Sequence, residues 1–313
     1  VVDVIGFRSR LNVILSGAGL ATKGIANGLS FTSPLGSTAV TATQDADASA
    51  DGRPLIRAAV TTSLDWKPKK LSLPQLAVIN SLASLSALVK DERSGGFTIS
   101  THFNCHGEMA KPGAVLVAAA AMLQRDSLIA AMHLVSDSSG RAPHHAGSDR
   151  SIVGLRADLA GAEARLRNEG IVAYSDAGGL TAVLPGVLEL NGTRTHPLLG
   201  RGLTYRLTLP QAGSDPAAVA SRANTLNNWE MCDKLPAAPG AWSVSSEADA
   251  LCFRGFIPSF CYSPGMALYV VDWMRRMHDN AAVLIKELQP IPVPGHGRVR
   301  RALACLFARE RVA

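Results

Sequence analysis

Val4-Ile5-Gly6-Phe7-Arg8-Ser9-Arg10-Leu11 returns later in the chain as Ile152-Val153-Gly154-Leu155-Arg156-Ala157-Asp158-Leu159, with an apolar pair, a glycine and an arginine in the same places. Further out, Gly28-Leu29-Ser30-Phe31-Thr32-Ser33-Pro34 returns as Gly179-Leu180-Thr181-Ala182-Val183-Leu184-Pro185. Pro54-Leu55-Ile56, followed by Val60-Thr61 and Leu64, returns as Pro197-Leu198-Leu199, followed by Leu203-Thr204 and Leu207. Pro112-Gly113, then Leu116 and Met122, returns as Pro264-Gly265, then Leu268 and Met274. The offsets of 148, 151, 143 and 152 residues keep one order with small insertions. A collinear set of this kind reads as two copies of one domain. The copies span 1–135 and 151–289, with a linker at 136–150 and a basic tail at 290–313. Two copies in one chain predict a paired, pseudo-twofold body.

Composition supports two cores. The 313 residues are 47% hydrophobic and 18% charged, enough apolar material for each half to bury its own centre. Aromatics make up only 5%, which leaves Leu, Val and Ala to do the filling. The net charge of +6 is mild for this length, and no basic stripe with interleaved aromatics accompanies it, which argues against nucleic-acid binding. Arg298, Arg300, Arg301, Arg309 and Arg311 concentrate part of that charge in the tail, where they could meet an anionic surface. Cys105, Cys232, Cys252, Cys261 and Cys305 form no CxxC pair, as expected in a reducing compartment. Asp3, Arg8 and Arg10 interrupt the opening apolar run, unlike a signal peptide, and no stretch reaches the roughly 18 apolar residues of a membrane span. A cytoplasmic location is expected. The chain begins with Val, which leaves room for upstream residues.

Within each copy the periodicities predict helix, three strands, helix, two strands, helix. The opening helices fall at 4–15 and 152–166, the second with Ser151 as its cap and Gly170 as its stop. Extended segments follow at 20–25, 29–32 and 56–64, and at 171–174, 180–184, 187–190 and 202–209. In the last of these, Leu203, Tyr205, Leu207 and Leu209 alternate with Thr204, Arg206 and Thr208, the pattern of a half-buried antiparallel strand. Middle helices are predicted over 74–90 and 216–231, strand pairs over 96–101 with 103 and over 240–245 with 250–257, and closing helices over 113–132 and 265–288. The polar run at 41–52 reads as a mobile insertion, and the Ser- and Gly-rich run at 136–149, with His144-His145, as a linker.

Chemistry is thinly represented. His102, Cys105, His106 and Glu108 are competent zinc ligands, but their spacing matches no established zinc pattern, and the other copy has Phe253-Arg254-Gly255-Phe256-Ile257 in their place. Gly17-Ala18-Gly19 lies after a helix and before a strand, the wrong order for a dinucleotide loop, so a helix stop is the plainer reading. No G-x-S-x-G is present. No cofactor is implied. Asn227-Asn228-Trp229-Glu230 stands out on the second middle helix, against Asn80-Ser81-Leu82-Ala83 on the first. The asparagine beside a tryptophan could line a peptide groove, or it could bond a strand end while Trp229 fills the core. Trp242, Phe256 and Tyr262 add to an aromatic concentration in the second copy, where a sticky surface is expected.

This element order resembles the type III secretion chaperone-like fold, which class I secretion chaperones share with YbjN-like proteins. Leu226-Asn227-x-Trp229 is similar to the Leu-Asn-x-Trp element of YbjN-like sequences, as are the strand pair and final helix around Pro264-Gly265. The first copy departs from the element at Leu82. The resemblance implies an α+β fold with antiparallel sheets, and non-catalytic homodimers that hold a partner chain on their surface. Two fused copies would form that dimer within one polypeptide and bind a protein or peptide, with Asn227, Trp229, Trp242, Phe256 and Tyr262 as contact residues. The alternative is a metal-dependent hydrolase using His102, Cys105, His106 and Glu108.

Overall fold

The computed structural model of the chain describes residues 3–33, 36–45, 55–64, 71–82, 85–90, 96–106, 110–135, 150–184, 186–193, 195–196, 200–211, 215–231, 238–245 and 250–285. The expected linker at 136–149, the tail at 290–313 with its arginines, Cys232 and Glu108 lie outside them. The elements are α1 (Val4–Gly17), β1 (Lys23–Ile25), β2 (Gly28–Ser33), β3 (Gly36–Asp45), β4 (Leu55–Leu64), α2 (Leu73–Leu82), β5 (Ala87–Lys90), β6 (Phe97–His106) and α3 (Ala110–Val135). They continue as α4 (Leu155–Asn168), β7 (Val172–Ser175), β8 (Gly179–Val183), β9 (Val187–Asn191), β10 (Thr195–His196), β11 (Gly200–Pro210), α5 (Pro216–Met231), β12 (Ala241–Ser245), β13 (Ala250–Pro258) and α6 (Met266–Leu284). The protein is thus a mixed α+β fold with two antiparallel sheets.

The first sheet runs β1-β2-β3-β4-β6-β5, and the second runs β7-β8-β9-β11-β13-β12 with β10 on the side of β11. Setting β10 aside, the two orders agree strand for strand. The registers agree as well. Leu29 faces Val40, which faces Val60, which faces Thr101. Leu180 faces Leu190, which faces Tyr205, which faces Gly255. Val60 therefore corresponds in the ladder to Tyr205 rather than to Leu203, a two-residue slip that keeps the same face of the strand.

Local chemistry sets the helix ends. Asp3 caps α1 by accepting from the Gly6 N–H at 2.6 Å. Gly19 (φ 82°) and Gly170 (φ 78°) sit just past α1 and α4 in the left-handed conformation that closes a helix, with Leu20 N–H on Leu15 O and Ile171 N–H on Leu166 O. The expected stops at Gly19 and Gly170 are therefore present. Ser151 is not the cap of α4: the helix begins at Leu155 behind a left-handed Gly154, with no side-chain cap. Phe7, Leu11 and Leu15, and Leu155, Leu159 and Leu166, form the buried stripes of these helices. Each such side chain contributes about 1.5–3 kcal/mol of burial.

Two further expectations are corrected. The first middle helix ends at Leu82, and Ala87–Lys90 is strand β5 rather than its last turns. Leu88 and Val89 pack as well on a pleated sheet as on a helix, and β6 and Asn80 supply the hydrogen bonds that decide between them. Part of the supposed insertion, Thr41 to Asp45, belongs to the ten-residue strand β3, which raises the first group of strands from three to four. Its inward residues Thr38, Val40 and Ala42 are small or polar, so the alternation is faint in hydrophobicity although their burial is complete.

The core is continuous across both sheets. Among the described residues no helix is long and apolar enough to cross a membrane.

Candidate functional site: the seam between the sheets

The middle helices α2 and α5 meet where the two sheets approach. Helix α2 packs on both α5 and β12, and α5 packs on both β12 and β5, so each middle helix touches the edge strand of the other sheet. Asn80 on α2 closes the outer edge of β5: its Nδ2 donates to Leu88 O at 3.0 Å and its Oδ1 accepts from Leu88 N–H at 2.7 Å. Asn227 on α5 does the same for β12, donating to Trp242 O at 3.0 Å and accepting from Trp242 N–H at 2.9 Å. A carboxamide carries a donor and an acceptor side by side, so it replaces one missing strand neighbour at one residue. A buried edge left open would strand both groups.

Helix α5 also reaches across the seam. Lys90 N–H donates to Asn224 Oδ1 at 3.3 Å, and Asn228 Nδ2 donates to Lys90 O at 3.0 Å. Asn224 and Asn228 stand one turn apart, so both face β5. Leu85 packs against Phe256 with Leu123 at their side, and Ala87 and Val89 pack against Ala241. Trp273 on α6 donates from Nε1 to Asn104 O at 3.3 Å on β6. The seam therefore combines apolar packing with hydrogen bonds.

The residues expected to contact a partner are distributed as follows. Asn227 is buried on the edge of β12. Trp242 is fully enclosed, edge-on to Phe253 with centroids 5.3 Å apart, and its Nε1 donates to Glu230 Oε1 at 2.8 Å. Phe256 is fully enclosed in the seam. Trp229 is half-buried against the core. Tyr262 is half-buried, and its hydroxyl donates to Asp158 Oδ2, which also accepts from Gly265 N–H at 2.8 Å. Burial, together with the Asp158 carboxylate, pushes that phenol up, and the backbone at Ala267 opposes the shift. Asn227, Trp242 and Phe256 are thus interior, whereas Trp229 and Tyr262 each keep part of their surface open. Of the two readings of Asn227, the geometry matches the one in which it bonds a strand end.

Two of the metal candidates are separated by the strand. His102 and Cys105 stand three residues apart on β6, so period-two alternation puts them on opposite faces. His106 ends that strand. Cys105 lies under α3, against Gly113, and burial pushes its thiol to about 12. Among the described residues no three His, Cys, Asp or Glu side chains group as a metal would need. Cys252 and Cys261 are likewise buried and free.

Glu230 closes the run that stands out in the sequence, but no role follows for it from the sequence. It is enclosed by the seam, and burial raises its carboxyl to about 8, while the Trp242 indole acts in the opposite direction. Asn224 lies outside that run, and Asn228 lies within it with no role assigned. Their signal was the i, i+4 spacing of two amides on the helix that already carried Asn227.

No family model, curated protein or solved structure matches the chain.

Proposed function

We propose that this chain is a non-enzymatic binding module in which two α+β units, 1–135 and 151–289, pair within one polypeptide to hold a protein or peptide partner. The observation that carries the reading is the matched pair of edge closures, Asn80 on Leu88 and Asn227 on Trp242, at the same strand of each sheet. Around that pair, each middle helix lies against the other unit's edge strand, as in a twofold dimer interface. The YbjN-like element Leu226-Asn227-x-Trp229 falls on this interface, so in this reading it serves pairing, and the partner binds elsewhere on the surface. Cys105, Cys261, Glu230 and Tyr205, whose pKa values burial raises, lie in packing roles, and the half-buried Tyr262 is tied to Asp158, which favours a scaffold over a reaction centre.

The test is sedimentation of the purified full chain with and without a partner captured from source extract and identified by mass spectrometry. A single-chain species that forms a saturable complex of fixed stoichiometry supports the proposal. A chain that sediments as an obligate dimer, or one that carries stoichiometric metal by elemental analysis and hydrolyses model esters or peptides, overturns it.

A further inference from the structure

The amino-terminal corners of the two units are built alike and finished differently. In each, one hydrogen bond lies one step past the last pair of a strand ladder: Ala42 N–H to Asn27 O at 2.9 Å, beyond Gly28 and Thr41, and Gly192 N–H to Gly178 O at 2.8 Å, beyond Gly179 and Asn191. In the first corner Arg8 turns inward and closes it. Its Nε donates to Ala42 O at 2.8 Å, its Nη2 donates to the same oxygen, and Nη2 also reaches Asn27 Oδ1 at 3.4 Å.

Arg156 occupies the corresponding place in the second corner, but the residues beneath it are glycines. A Cβ on Gly192 would strike Leu155 Cδ2, and one on Gly178 would come within 2.6 Å of Thr193 Cγ2, so bare backbone is what fits there. The result is a cavity of about 800 Å³, walled by Ile152, Leu155, Ala160 and Ala177, with Arg156 and Arg201 also on its lining. Among the described residues neither guanidinium has a hydrogen-bond or ion-pair partner. A volume of this order lies within the range of small-ligand sites.

We propose that this cavity binds a carboxylate carried on a short aliphatic body, supplied by the free C-terminal residue of a peptide partner. A guanidinium grips a carboxylate through two parallel hydrogen bonds, and two unpaired arginines provide charge for one anion. A phosphate would satisfy the arginines and leave the aliphatic wall unfilled. A C-terminal residue presents carboxylate and side chain from one carbon, matching a lining that carries both arginines and apolar side chains. Capture of a chain end is an established way of reading peptides. The assignment rests on the reading of the chain as a partner-binding module and gives that reading a location away from the seam.

Calorimetric titration of the full chain with three probes tests it: a hexapeptide ending in leucine as the free acid, the same peptide as its C-terminal amide, and 4-methylpentanoate. The free acid is expected to bind, and the amide at least tenfold more weakly. Arg156→Gln and Arg201→Gln, both at exposed positions, should each weaken the free acid at least tenfold. Ala160→Trp, on the exposed side of α4, should block the cavity without disturbing the core. Arg8→Gln should leave the affinity unchanged. Equal binding of acid and amide, or full affinity in both arginine variants, overturns the assignment. Binding of 4-methylpentanoate as tight as the peptide overturns the peptide as the source. A protein partner retained undiminished by the Arg156→Gln/Arg201→Gln double variant removes the cavity from the partner-binding reading and leaves that reading standing.

Discussion

Glu230 accepts a hydrogen bond from the Trp242 indole at 2.8 Å in an enclosure that holds its carboxyl at about 8. The folded state therefore keeps a proton that the unfolded chain releases near 4.5, so stability is highest below that point and falls as pH rises toward 8. Glu230→Gln keeps an acceptor for the indole and removes the titration. The variant should match the parent near pH 4 and exceed it by about 2–3 kcal/mol at pH 7. Urea unfolding at both pH values checks this, and a constant difference between the two proteins would rule it out.

Asn227→Ala would leave the N–H and C=O of Trp242 buried without partners. A loss of about 2–4 kcal/mol follows from the cost of two unmet groups. Asn80→Ala should cost a similar amount through Leu88. Chemical denaturation gives both numbers, and losses below about 0.5 kcal/mol would mean that water takes the place of the amide.

Asn224→Ala with Asn228→Ala removes both bonds that cross the seam to Lys90, together with one bond within α5 from Asn228 Nδ2 to Asn224 O. The expected result is a split in unfolding, with the two sheets melting separately where the parent melts once. Hydrogen exchange followed segment by segment would show it. A single transition, merely shifted, would mean that the apolar contacts of Phe256 and Ala241 suffice to couple them.

Gly113→Ala would bring a methyl to 2.5 Å from the Cys105 sulfur inside a full core. Overpacking of this kind costs about 1–3 kcal/mol. Cys105→Ala should relieve most of it when the two changes are combined, giving a coupling of the same size and opposite sign. Additive losses would show that the helix moves instead.

Much of this architecture could be read from the chain. The clean alternation of Leu203, Tyr205, Leu207 and Leu209, the glycine stops at Gly19 and Gly170 and the whole of α5 follow from local pattern, which is where periodicity speaks most directly. Strand β3 escaped because Thr38 and Ala42 carry little hydrophobic signal although both are buried. Strand β5 escaped because Ala87, Leu88 and Val89 continue an apolar helix pattern, and only non-local partners settle their conformation. The candidate contact residues drew notice as aromatics. Aromatic mass marks cores as readily as surfaces, and Trp242 and Phe256 prove to be interior. The cavity beside Arg156 had one trace in the sequence, the pairing of Arg8 with Arg156. What separates those two arginines lies in backbone some twenty and more residues away, Asn27 and Ala42 against Gly178 and Gly192, beyond the reach of any local pattern.

Asn224 and Asn228 grip Lys90 through its peptide N–H and C=O, groups that every residue except proline carries in full. The latch therefore makes a demand on one of its sides alone. Position 90 is free to drift among residues that hold an extended backbone, whereas positions 224 and 228 are not. Across a set of descendants the joint would read as two unchanging asparagines opposite a strand of shifting composition. A search for pairs that change together would pass over one of the contacts that binds the halves into one body.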